Sequence, residues 1–542
     1  MPFETLITSE QIKEMEQNGL WRMETVLDHL NQCVDACPDS EAVFDGYTRL
    51  TYHELAEEVQ YCAAGLAELG VEKDTVISLQ LPNWVEFIIF HYAATFLGAV
   101  TNPLVPIYRE QEIRYMADLA ETEVYIAPKQ FRNFDYEEMI HQLKPDLPAL
   151  KSVIIVGEPD YDTSLSYDTW MKDNRQSGQN AEEVDADPND VSEIIFTSGT
   201  TGEPKGVLHT HNTLTCATQG MIDHLGLTDS DVVHMASTFA HQTGFLYGSR
   251  MPVQCGAKGV YQDVWNAEEF VEMIEQEQIT VTFGATPFLH DLLNASNLED
   301  RDISSLRIFV CAGAPIPKPL LEEALEKLPN CKVLGAWGQT EDAIVTVSSL
   351  DDPADVIISS DGIPISEGTE IRVTDDQGTE LPYGTEGNLE VRGSFVFAGY
   401  AKRLAKTQEE FNQDWFITGD LAIMDESGHM SISGRSKDLI IRGGENIPVA
   451  YVEDVLYKHP SIASASVVAV PDPRMQERAC ACVIPNDETS LTMDELQTFL
   501  HEQGLAKQYW PEYLQVYEDL PRTPSGKIQK FKLREEVKQN VT

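Results

Sequence analysis

Residues 194–206 read IIFTSGTTGEPKG, an apolar run followed by a loop of hydroxyl side chains, glycines and one lysine. Glycines let the backbone approach an anion closely, hydroxyl and backbone N–H groups donate hydrogen bonds to phosphate oxygens, and lysine adds a mobile positive charge. These residue types in this order predict a strand that ends in a polyphosphate-binding loop. The predicted phosphate-binding residues are Thr197, Ser198, Gly199, Thr200, Thr201 and Gly202, with Lys205 as the cation.

The loop differs from the phosphate loop of P-loop nucleoside triphosphatases. In that loop, G-x-x-x-x-G-K-[ST], the lysine directly follows the second glycine, whereas Glu203 and Pro204 separate Gly202 from Lys205 here. An ordinary turn between two elements is the simpler interpretation. It is disfavoured, because a turn needs one glycine and gains nothing from four neighbouring hydroxyl side chains.

Alternating strand and helix patterns surround this loop. Apolar runs predict a strand at 76–81, a buried helix at 84–97 and a strand at 99–104, and the alternation recurs at 279–293 and 306–328. Repeated units of this kind predict mostly parallel sheets with helices on both faces.

Two later regions depart from this alternation. Between 368 and 393, short segments broken by Asp-Gln-Gly and Pro-Tyr-Gly predict antiparallel hairpins. After Gly434, an apolar run and a glycine pair precede a predicted helix at 449–457 and strands at 463–470 and 478–484. A chain of 542 residues is longer than a single hydrophobic core usually supports. We therefore predict an α/β protein with a large composite domain at 1–436, which joins βα-layered sheets to an antiparallel subdomain, and a small, mobile α+β domain at 437–542.

The composition is strongly acidic, with 38 Lys and Arg against 89 Asp and Glu and a formal net charge of −51. The negative electrostatic field of such a protein disfavours binding to nucleic acid and anionic membranes. Salt screens the repulsion among its acidic side chains. The charge indicates a halophilic source. Nine cysteines without C-x2-C pairs indicate buried thiols rather than a zinc site or a disulfide framework.

No segment reads as a membrane span or a secretory signal. The longest apolar stretch, 84–97, is shorter than the roughly 20 residues that cross a bilayer, and residues 1–17 have neither a basic region nor an apolar region. We therefore expect a cytoplasmic protein, and the sequence leaves open whether it is a monomer or a homodimer.

Four further segments carry residues with binding or catalytic potential: CAGAP at 311–315, GAWGQTE at 335–341, WFITGD at 415–420 and RTPSGK at 522–527. Each has a simpler interpretation by itself, as a strand-end turn, an exposed aromatic residue, a Gly-Asp turn or a surface lysine. Together with the loop at 197–206, and in this order, they resemble the adenylate-forming superfamily of acyl-CoA synthetases, nonribosomal-peptide adenylation domains and firefly-type luciferases. The resemblance extends over nearly the whole chain.

The resemblance implies a site for ATP and Mg2+. It places the ring of Trp337 against adenine, Thr340 on the α-phosphate as a catalytic residue beside Lys205, and Glu341 on magnesium, which prefers few carboxylates together with phosphate oxygens. It places Asp420 and Arg435 at the ribose. Further residues implied to contact the nucleotide are Ala336, Gly338 and Gln339 and, beneath the adenine, Gly313, Ala314 and Pro315.

The resemblance also gives the small domain two orientations. In the first, Lys527 reaches the α-phosphate and the attacking carboxylate, where an ammonium stabilises the developing charge. Rotation about the hinge Lys437 then brings Gly443, Gly444 and Glu445 to the site, where the two glycines leave room for coenzyme A.

The implied acyl site comprises the segment at 237–244, residues near 283–288 and Ala312. His241 resembles a residue that gates the carboxylate, although a histidine paired with a backbone carbonyl is an equal alternative. Gly244 and Gly248 flank Phe245 and Tyr247, which predicts space beside aromatic walls and hence a cyclic, aryl or medium-chain acid. The sequences of segments 208–213 and 442–448 most resemble the sequences of ligases for cyclohexanecarboxylate and related acids.

The sequence thus predicts an ATP-dependent ligase that forms an acyl adenylate and then a coenzyme A thioester from a small carboxylic acid. Three alternatives stay open. A stand-alone ligase that loads an acyl carrier protein shares the first step. A non-catalytic nucleotide- or acyl-binding protein on this fold is disfavoured by the joint presence of Thr340, Glu341, Asp420, Arg435 and Lys527. No residue points to a luciferase-type oxygenase.

Overall fold

The computed structural model describes residues 3–178, 181–184, 186–197, 204–313, 318–435, 440–442, 445–447, 449–472, 475–486, 491–503, 505, 507–522 and 528–541. The side chains of residues 435, 441, 445, 446, 476, 508 and 541 are not among the described parts.

The strands and helices follow one another in the following order. The strands are β1 Glu41–Phe44, β2 Arg49–Thr51, β3 Val76–Leu79, β4 Val100–Pro103, β5 Val124–Pro128, β6 Gln130–Phe131, β7 Phe134–Asp135, β8 Ser152–Val156, β9 Leu165–Ser166, β10 Val191–Thr197, β11 Lys205–Thr210, β12 Val232–Met235, β13 Lys258–Tyr261, β14 Val281–Gly284, β15 Ile308–Cys311, β16 Lys332–Gln339, β17 Ala343–Val347, β18 Ile363–Pro364, β19 Thr369–Thr374, β20 Gly387–Gly393, β21 Gly399–Tyr400, β22 Phe411–Asn412, β23 Trp415–Met424, β24 Met430–Arg435, β25 Ile440–Arg442, β26 Glu445–Ile447, β27 Ile462–Asp472, β28 Gln476–Pro485 and β29 Tyr513–Val516. The helices are α1 Ser9–Gln17, α2 Val26–Ala36, α3 Tyr52–Glu68, α4 Val85–Phe96, α5 Glu110–Leu119, α6 Tyr136–Leu143, α7 Tyr167–Ser177, α8 His211–Leu225, α9 Gln242–Gly244, α10 Met251–Cys255, α11 Ala267–Glu277, α12 Thr286–Leu293, α13 Lys318–Lys327, α14 Ala354–Ser359, α15 Leu404–Glu409, α16 Val449–Tyr457, α17 Met493–Glu502 and α18 Lys530–Val541, and a π-helical turn covers Phe245–Arg250.

Two large sheets form the framework. A nine-stranded sheet has the order β18-β17-β16-β15-β14-β12-β13-β1-β2, and its strands from β16 to β1 run parallel. An eight-stranded sheet has the order β21-β11-β10-β4-β3-β5-β8-β9, with β10 to β9 parallel. Strands such as β3 and β15 are buried along their whole length, as parallel strands covered on both faces must be.

The remaining sheets are antiparallel or mixed. Strands β19, β20, β23, β22 and β24 form an antiparallel sheet, as the hairpin pattern at 368–393 predicts. The C-terminal sheet joins β26, β25, β28, β27 and β29, with α16 packed on β27. The predicted α/β class, with its antiparallel subdomain and small α+β region, is confirmed.

Other expectations from the sequence also hold. Helix α4 is the predicted buried helix, with eleven of its twelve residues buried. All nine cysteines are free and seven are buried. No helix among the described residues is long and apolar enough to span a bilayer.

The phosphate-loop region lies within a hairpin. Strands β10 and β11 pair antiparallel, and Thr197 lies opposite Lys205. The two residues that flank the loop therefore both belong to strands of the eight-stranded sheet. A P-loop, in contrast, connects a strand to a helix.

A β-bulge shapes the end of β16. The pairing of β16 with β17 shifts register between Trp337 and Gly338. A Cβ at Gly338 would lie 1.8 Å from the carbonyl oxygen of Ala343, and Ala343 itself has a φ of +55°. Only glycine fits at this point, because the opposing backbone occupies the space of a side chain.

Gly338→Ala tests this constraint. We expect the substitution to lower the free energy of unfolding by about 3 kcal/mol or more, since backbone atoms must move to admit the methyl group. Gly434→Ala is the matched control, because a Cβ there has no heavy atom of the described residues within 4 Å apart from its chain neighbours. Equal stability of the two variants in chemical denaturation would contradict the close approach.

Candidate nucleotide-binding and catalytic site

The segments predicted to bind substrates follow parallel strands of the nine-stranded sheet. The acyl segment at 237–244 follows β12, residues 285–288 follow β14, Ala312 and Gly313 follow β15, and Thr340 follows β16. The carboxyl ends of parallel strands meet at one sheet edge, which is where open α/β sheets bind ligands. The Ala312 N–H donates to the Gly284 carbonyl at 3.0 Å, and Gly313 turns the chain with a φ of +87°.

The carboxylate of Asp420 lies at the centre of the candidate site. Its Oδ2 accepts hydrogen bonds from Nε1 of Trp337 at 2.9 Å and from Nε2 of Gln339 at 3.0 Å. Gln339 also donates to the Thr418 carbonyl at 3.0 Å. Asp420 is 3% exposed, and in the pairing of β23 with β24 it lies opposite Arg435. The two residues predicted at the ribose are therefore cross-strand neighbours.

Trp337 is a buried residue of β16, 8% exposed, so the exposed aromatic alternative is wrong. The hydrogen bond from Nε1 to Asp420 fixes the orientation of the indole ring before a ligand binds. A fixed ring at a sheet edge can stack against a planar base without losing rotamer freedom on binding.

The turn that carries Thr340 and Glu341 is held through its backbone. Nε2 of His209 donates to the Thr340 carbonyl at 2.7 Å, and the Phe397 N–H donates to the Glu341 carbonyl at 2.7 Å. Asp342 accepts the Gln339 N–H at 2.6 Å. Strand β11, the segment before β21 and Asp342 of the turn itself therefore fix the backbone on which the predicted α-phosphate and magnesium residues lie.

Two groups beside this turn have displaced pKa values. Burial lowers the pKa of His209 to about 4, although its hydrogen bond to Thr340 opposes the shift. Burial, followed by the nearby charges of Glu341 and Asp420, raises the pKa of Asp342 well above its ordinary value. His209 is thus a neutral donor at neutral pH, and because a carbonyl only accepts, Nε2 carries its proton.

Lys205 begins β11 and points into a cluster of polar side chains. Its Nζ lies 2.7 Å from the hydroxyl of Tyr400, 3.1 Å from both carboxylate oxygens of Glu410 and 3.8 Å from Oε1 of Glu341. The Tyr400 hydroxyl is also 2.8 Å from Glu341 and 2.5 Å from Glu410. The predicted phosphate cation and the predicted magnesium ligand are therefore neighbours.

Glu341 fits a magnesium ligand. Its side chain is 10% exposed and lies beside Lys205, so one hard carboxylate oxygen is available next to a cation that also suits phosphate. Magnesium commonly binds one or two carboxylates together with substrate phosphates. Within the described ranges, no three His, Cys, Asp or Glu side chains form a metal site of protein groups alone.

The base of the phosphate loop has its own support. The Tyr115 hydroxyl of α5 donates to the Pro204 carbonyl at 3.2 Å, and Arg403 donates to the Tyr115 oxygen at 2.8 Å. Together with the pairing of Thr197 and Lys205, these contacts fix both ends of the loop.

The acyl segment corrects one expectation. A Cβ at Gly244 would lie 2.1 Å from the Thr238 carbonyl oxygen, and one at Gly248 would lie 2.7 Å from Cγ of Met235. Phe245 and Tyr247 are buried. The expected space beside aromatic walls is wrong, because these glycines allow close packing of the π-helical turn instead of opening a cavity.

His241 caps α9 and accepts the Thr243 N–H through Nδ1 at 3.4 Å. The segment is positioned by Asn83, which donates to the Ser237 carbonyl at 2.9 Å and accepts the Phe239 N–H at 2.8 Å. Asn83 follows β3 of the eight-stranded sheet, so it ties that sheet to the acyl segment.

Several predicted residues lie outside the described residues: Ser198, Gly199, Thr200, Thr201, Gly202, Ala314, Pro315, Lys437, Gly443, Gly444 and Lys527, together with the side chains of Arg435 and Glu445. Sequence reasoning missed four residues that the structure places at the site, namely Asn83, His209, Tyr400 and Glu410. A histidine that interrupts the apolar strand GVLHT (206–210) is a signal that could have found His209.

Comparison with known proteins bears directly on this site. The sequence model of the family described as AMP-binding enzyme matches residues 30–401, and that of the AMP-binding enzyme C-terminal domain matches residues 451–527. The chain is 36% identical over 543 residues to the medium-chain fatty-acid–CoA ligase of Escherichia coli strain K12, covering 99% of this chain and 95% of the relative.

One further relative and one solved structure are also similar to the chain. The chain is 30% identical over 541 residues to the 2,3-dihydroxybenzoate-AMP ligase of Bacillus subtilis strain 168, covering 98% of this chain and 97% of the relative. The crystal structure of ATP-bound MatB from Rhodopseudomonas palustris matches with a TM-score of 0.85 at 26% identity, covering 96% of this chain and 100% of that chain.

A two-sheet α/β fold with an antiparallel third sheet, an adjoining α+β domain and these binding motifs defines an adenylate-forming enzyme. The chain belongs to the AMP-binding enzyme family, in which it is an acid–thiol ligase of the AMP-forming acyl-CoA synthetase type. The predicted family and the prediction that the chain binds ATP are confirmed.

The neutral state of His209 gives a prediction on pH. The unfolded chain takes up a proton on this histidine near pH 6.5, whereas the folded state does so only near pH 4. Since the unfolded state binds more protons between these values, the free energy of unfolding falls as the pH drops from 6.5 to 4. We expect wild type to lose about 3 kcal/mol more than His209→Gln over this range.

Denaturant unfolding at several pH values measures this difference. His53→Gln is the control, because that side chain is exposed and its removal should leave the slope of stability against pH close to that of wild type. Parallel curves for wild type and His209→Gln would contradict a buried neutral histidine.

Proposed function

We propose that the chain is an ATP-dependent carboxylate–CoA ligase. In the first half-reaction, an oxygen of the acid attacks the α-phosphorus of ATP and pyrophosphate leaves. In the second, the sulfur of coenzyme A attacks the acyl carbonyl, AMP leaves, and a thioester forms. The observation that carries the proposal is the convergence of Trp337, Asp420, Glu341 and Lys205 from different sheets in a chain of this family.

The geometry of the described residues supports a role for each of them. The indole of Trp337 offers a fixed surface for adenine, and Asp420, oriented by Gln339 and Trp337, accepts hydrogen bonds from the ribose hydroxyls. The Thr340 hydroxyl donates to the α-phosphate from a turn that His209 holds in place. Magnesium, held by Glu341, would neutralise phosphate charge, while Lys205 binds the departing phosphates.

We further propose the division into domains at 436 and 437. Strand β24 ends at Arg435 and the described chain resumes at Ile440 with the C-terminal sheet, which supports a hinge at Lys437 between the two structural units. In this proposal the small domain first presents Lys527 for adenylation and then presents Gly443, Gly444 and Glu445 to coenzyme A.

The half-reactions should be separable by substitution. We expect Lys527→Ala to abolish acid-dependent pyrophosphate release by removing the cation at the reacting phosphate, yet to spare thioester formation from supplied acyl adenylate. We expect Gly444→Trp to do the reverse, because an indole would obstruct the thiol. Each variant is the control for the other in the same two assays, and equal loss of both steps in Lys527→Ala would contradict its assignment.

For the acid, we propose medium-chain fatty acids first, with cyclic acids such as cyclohexanecarboxylate and aryl acids next. The Escherichia coli relative, named as a medium-chain fatty-acid–CoA ligase, supports this order and a place in fatty acid metabolism. Because the chain packs tightly at Gly244 and Gly248, these glycines no longer indicate a pocket wide enough for a bulky ring. His241, Gly244 and Ala312 remain the proposed acyl neighbours.

A second candidate is an acyl-adenylate ligase that loads a carrier protein. The Bacillus subtilis relative, named as a 2,3-dihydroxybenzoate-AMP ligase, favours it. A panel of acids assayed for AMP formation with and without coenzyme A separates the two. Stimulation of turnover by coenzyme A, with a thioester product, supports the first proposal. Tight retention of acyl adenylate with no response to coenzyme A would contradict the coenzyme A ligase and favour the carrier-protein ligase.

We propose a cytoplasmic enzyme adapted to high salt, on the grounds of its net charge of −51. Raising KCl from 0.1 M to 2 M shortens the screening length from about 10 Å to below about 3 Å and relieves self-repulsion. We expect the melting temperature and the rate of AMP formation to rise together over this range. Highest stability and activity at low ionic strength would contradict the proposal.

A further inference from the structure

The ammonium of Lys205 is held by Tyr400 and Glu410 in this structure. An ammonium has three N–H donors, and three oxygens lie within 3.1 Å of Nζ, namely the Tyr400 hydroxyl and both carboxylate oxygens of Glu410. The Tyr400 ring also lies against the ammonium, with Nζ 4.1 Å from its centroid. A phosphate group that binds Lys205 therefore competes with Glu410 for the ammonium.

The charges around Lys205 favour this retracted arrangement. Glu410 and Glu341 place two carboxylates near one lysine, and Lys406 is the other cation beside Glu410, 3.6 Å from its Oε1. Burial would raise the pKa of Glu410, but the hydrogen bond from Tyr400 and the charge of Lys205 outweigh it and lower that pKa. Glu410 is therefore ionised at neutral pH and competes with phosphate for the lysine.

Glu410 is held firmly enough to act in this way. It directly follows α15, and its carbonyl accepts the Ile417 N–H at 2.9 Å. Tyr400 is 1% exposed, and its backbone N–H donates to the Thr407 hydroxyl of α15 at 2.9 Å. The acceptors of the lysine thus belong to one rigid unit.

We propose that Glu410 is a positioning residue that holds Lys205 away from the phosphates between turnovers. Lys205 exchanges Glu410 for the β- and γ-phosphates when ATP binds, and it returns to Glu410 as pyrophosphate leaves. The exchange weakens the binding of pyrophosphate and so speeds its release. This inference rests on the proposed function only in that Lys205 binds the departing phosphates.

Glu410→Gln removes the charge but keeps the size of the side chain and an acceptor oxygen. We expect its Kd for magnesium pyrophosphate to fall about fivefold, the scale of a partly exposed ion pair. Inhibition by pyrophosphate should strengthen, and KM for ATP should fall together with kcat, because product release slows. A merely structural role would not tighten binding.

Glu409→Gln is the matched control, because Glu409 is the neighbouring residue, is exposed and lies 3.3 Å from Lys406, and no ion pair among the described residues joins it to Lys205. We expect its Kd to match wild type. Glu410→Asp keeps the charge on a shorter side chain and should lie between wild type and Glu410→Gln, and it replaces the latter if that variant fails to fold.

Isothermal calorimetry with magnesium pyrophosphate and the full chain gives the decisive measurement. Tighter binding in Glu410→Gln supports the inference, whereas unchanged or weaker binding, or no binding to wild type, overturns it. Because calorimetry needs no acid, an enzyme that binds pyrophosphate but forms no AMP with any acid would overturn the proposed ligase function while the calorimetry still decides the role of Glu410.

Discussion

The carboxylate of Asp420 joins two sheets that the chain builds far apart in sequence. Trp337 and Gln339, at the end of β16, both donate to it, and Asp420 and Trp337 are buried. Hydrogen bonds to a charged group contribute about 1.5–3 kcal/mol each, and an unpaired buried carboxylate would cost more. The antiparallel sheet that carries Asp420 is therefore fixed relative to the nine-stranded sheet, and with it the separation between the predicted adenine and ribose surfaces.

The same end of β16 also determines where the predicted catalytic groups lie. The bulge at Gly338 and the left-handed backbone of Ala343 bring the chain sharply round, so that Thr340 and Glu341 face strand β11. His209 then holds the Thr340 carbonyl from β11. Because β11 also begins with Lys205, one strand positions both the predicted phosphate cation and the turn predicted to bind the α-phosphate and magnesium.

Much of this arrangement is encoded locally and can be predicted from the sequence. Strand and helix periodicity gives the parallel sheets, and the order of the sheets brings their carboxyl ends together. The contacts that the sequence does not reveal join residues far apart in the chain, such as His209 to Thr340 over 131 positions and Lys205 to Glu410 over 205. Gly244 shows a different limit of sequence-based prediction. A glycine is compatible both with an open cavity and with close packing, and only the structure distinguishes the two.

The central claim is that the acid attacks the α-phosphorus of ATP. The most direct test uses a medium-chain acid labelled with 18O in its carboxylate, incubated with ATP, magnesium and coenzyme A, followed by mass spectrometry of the products. The account predicts one 18O atom in AMP and none in pyrophosphate. Label in inorganic phosphate together with ADP, as expected if an acyl phosphate formed instead, would contradict it.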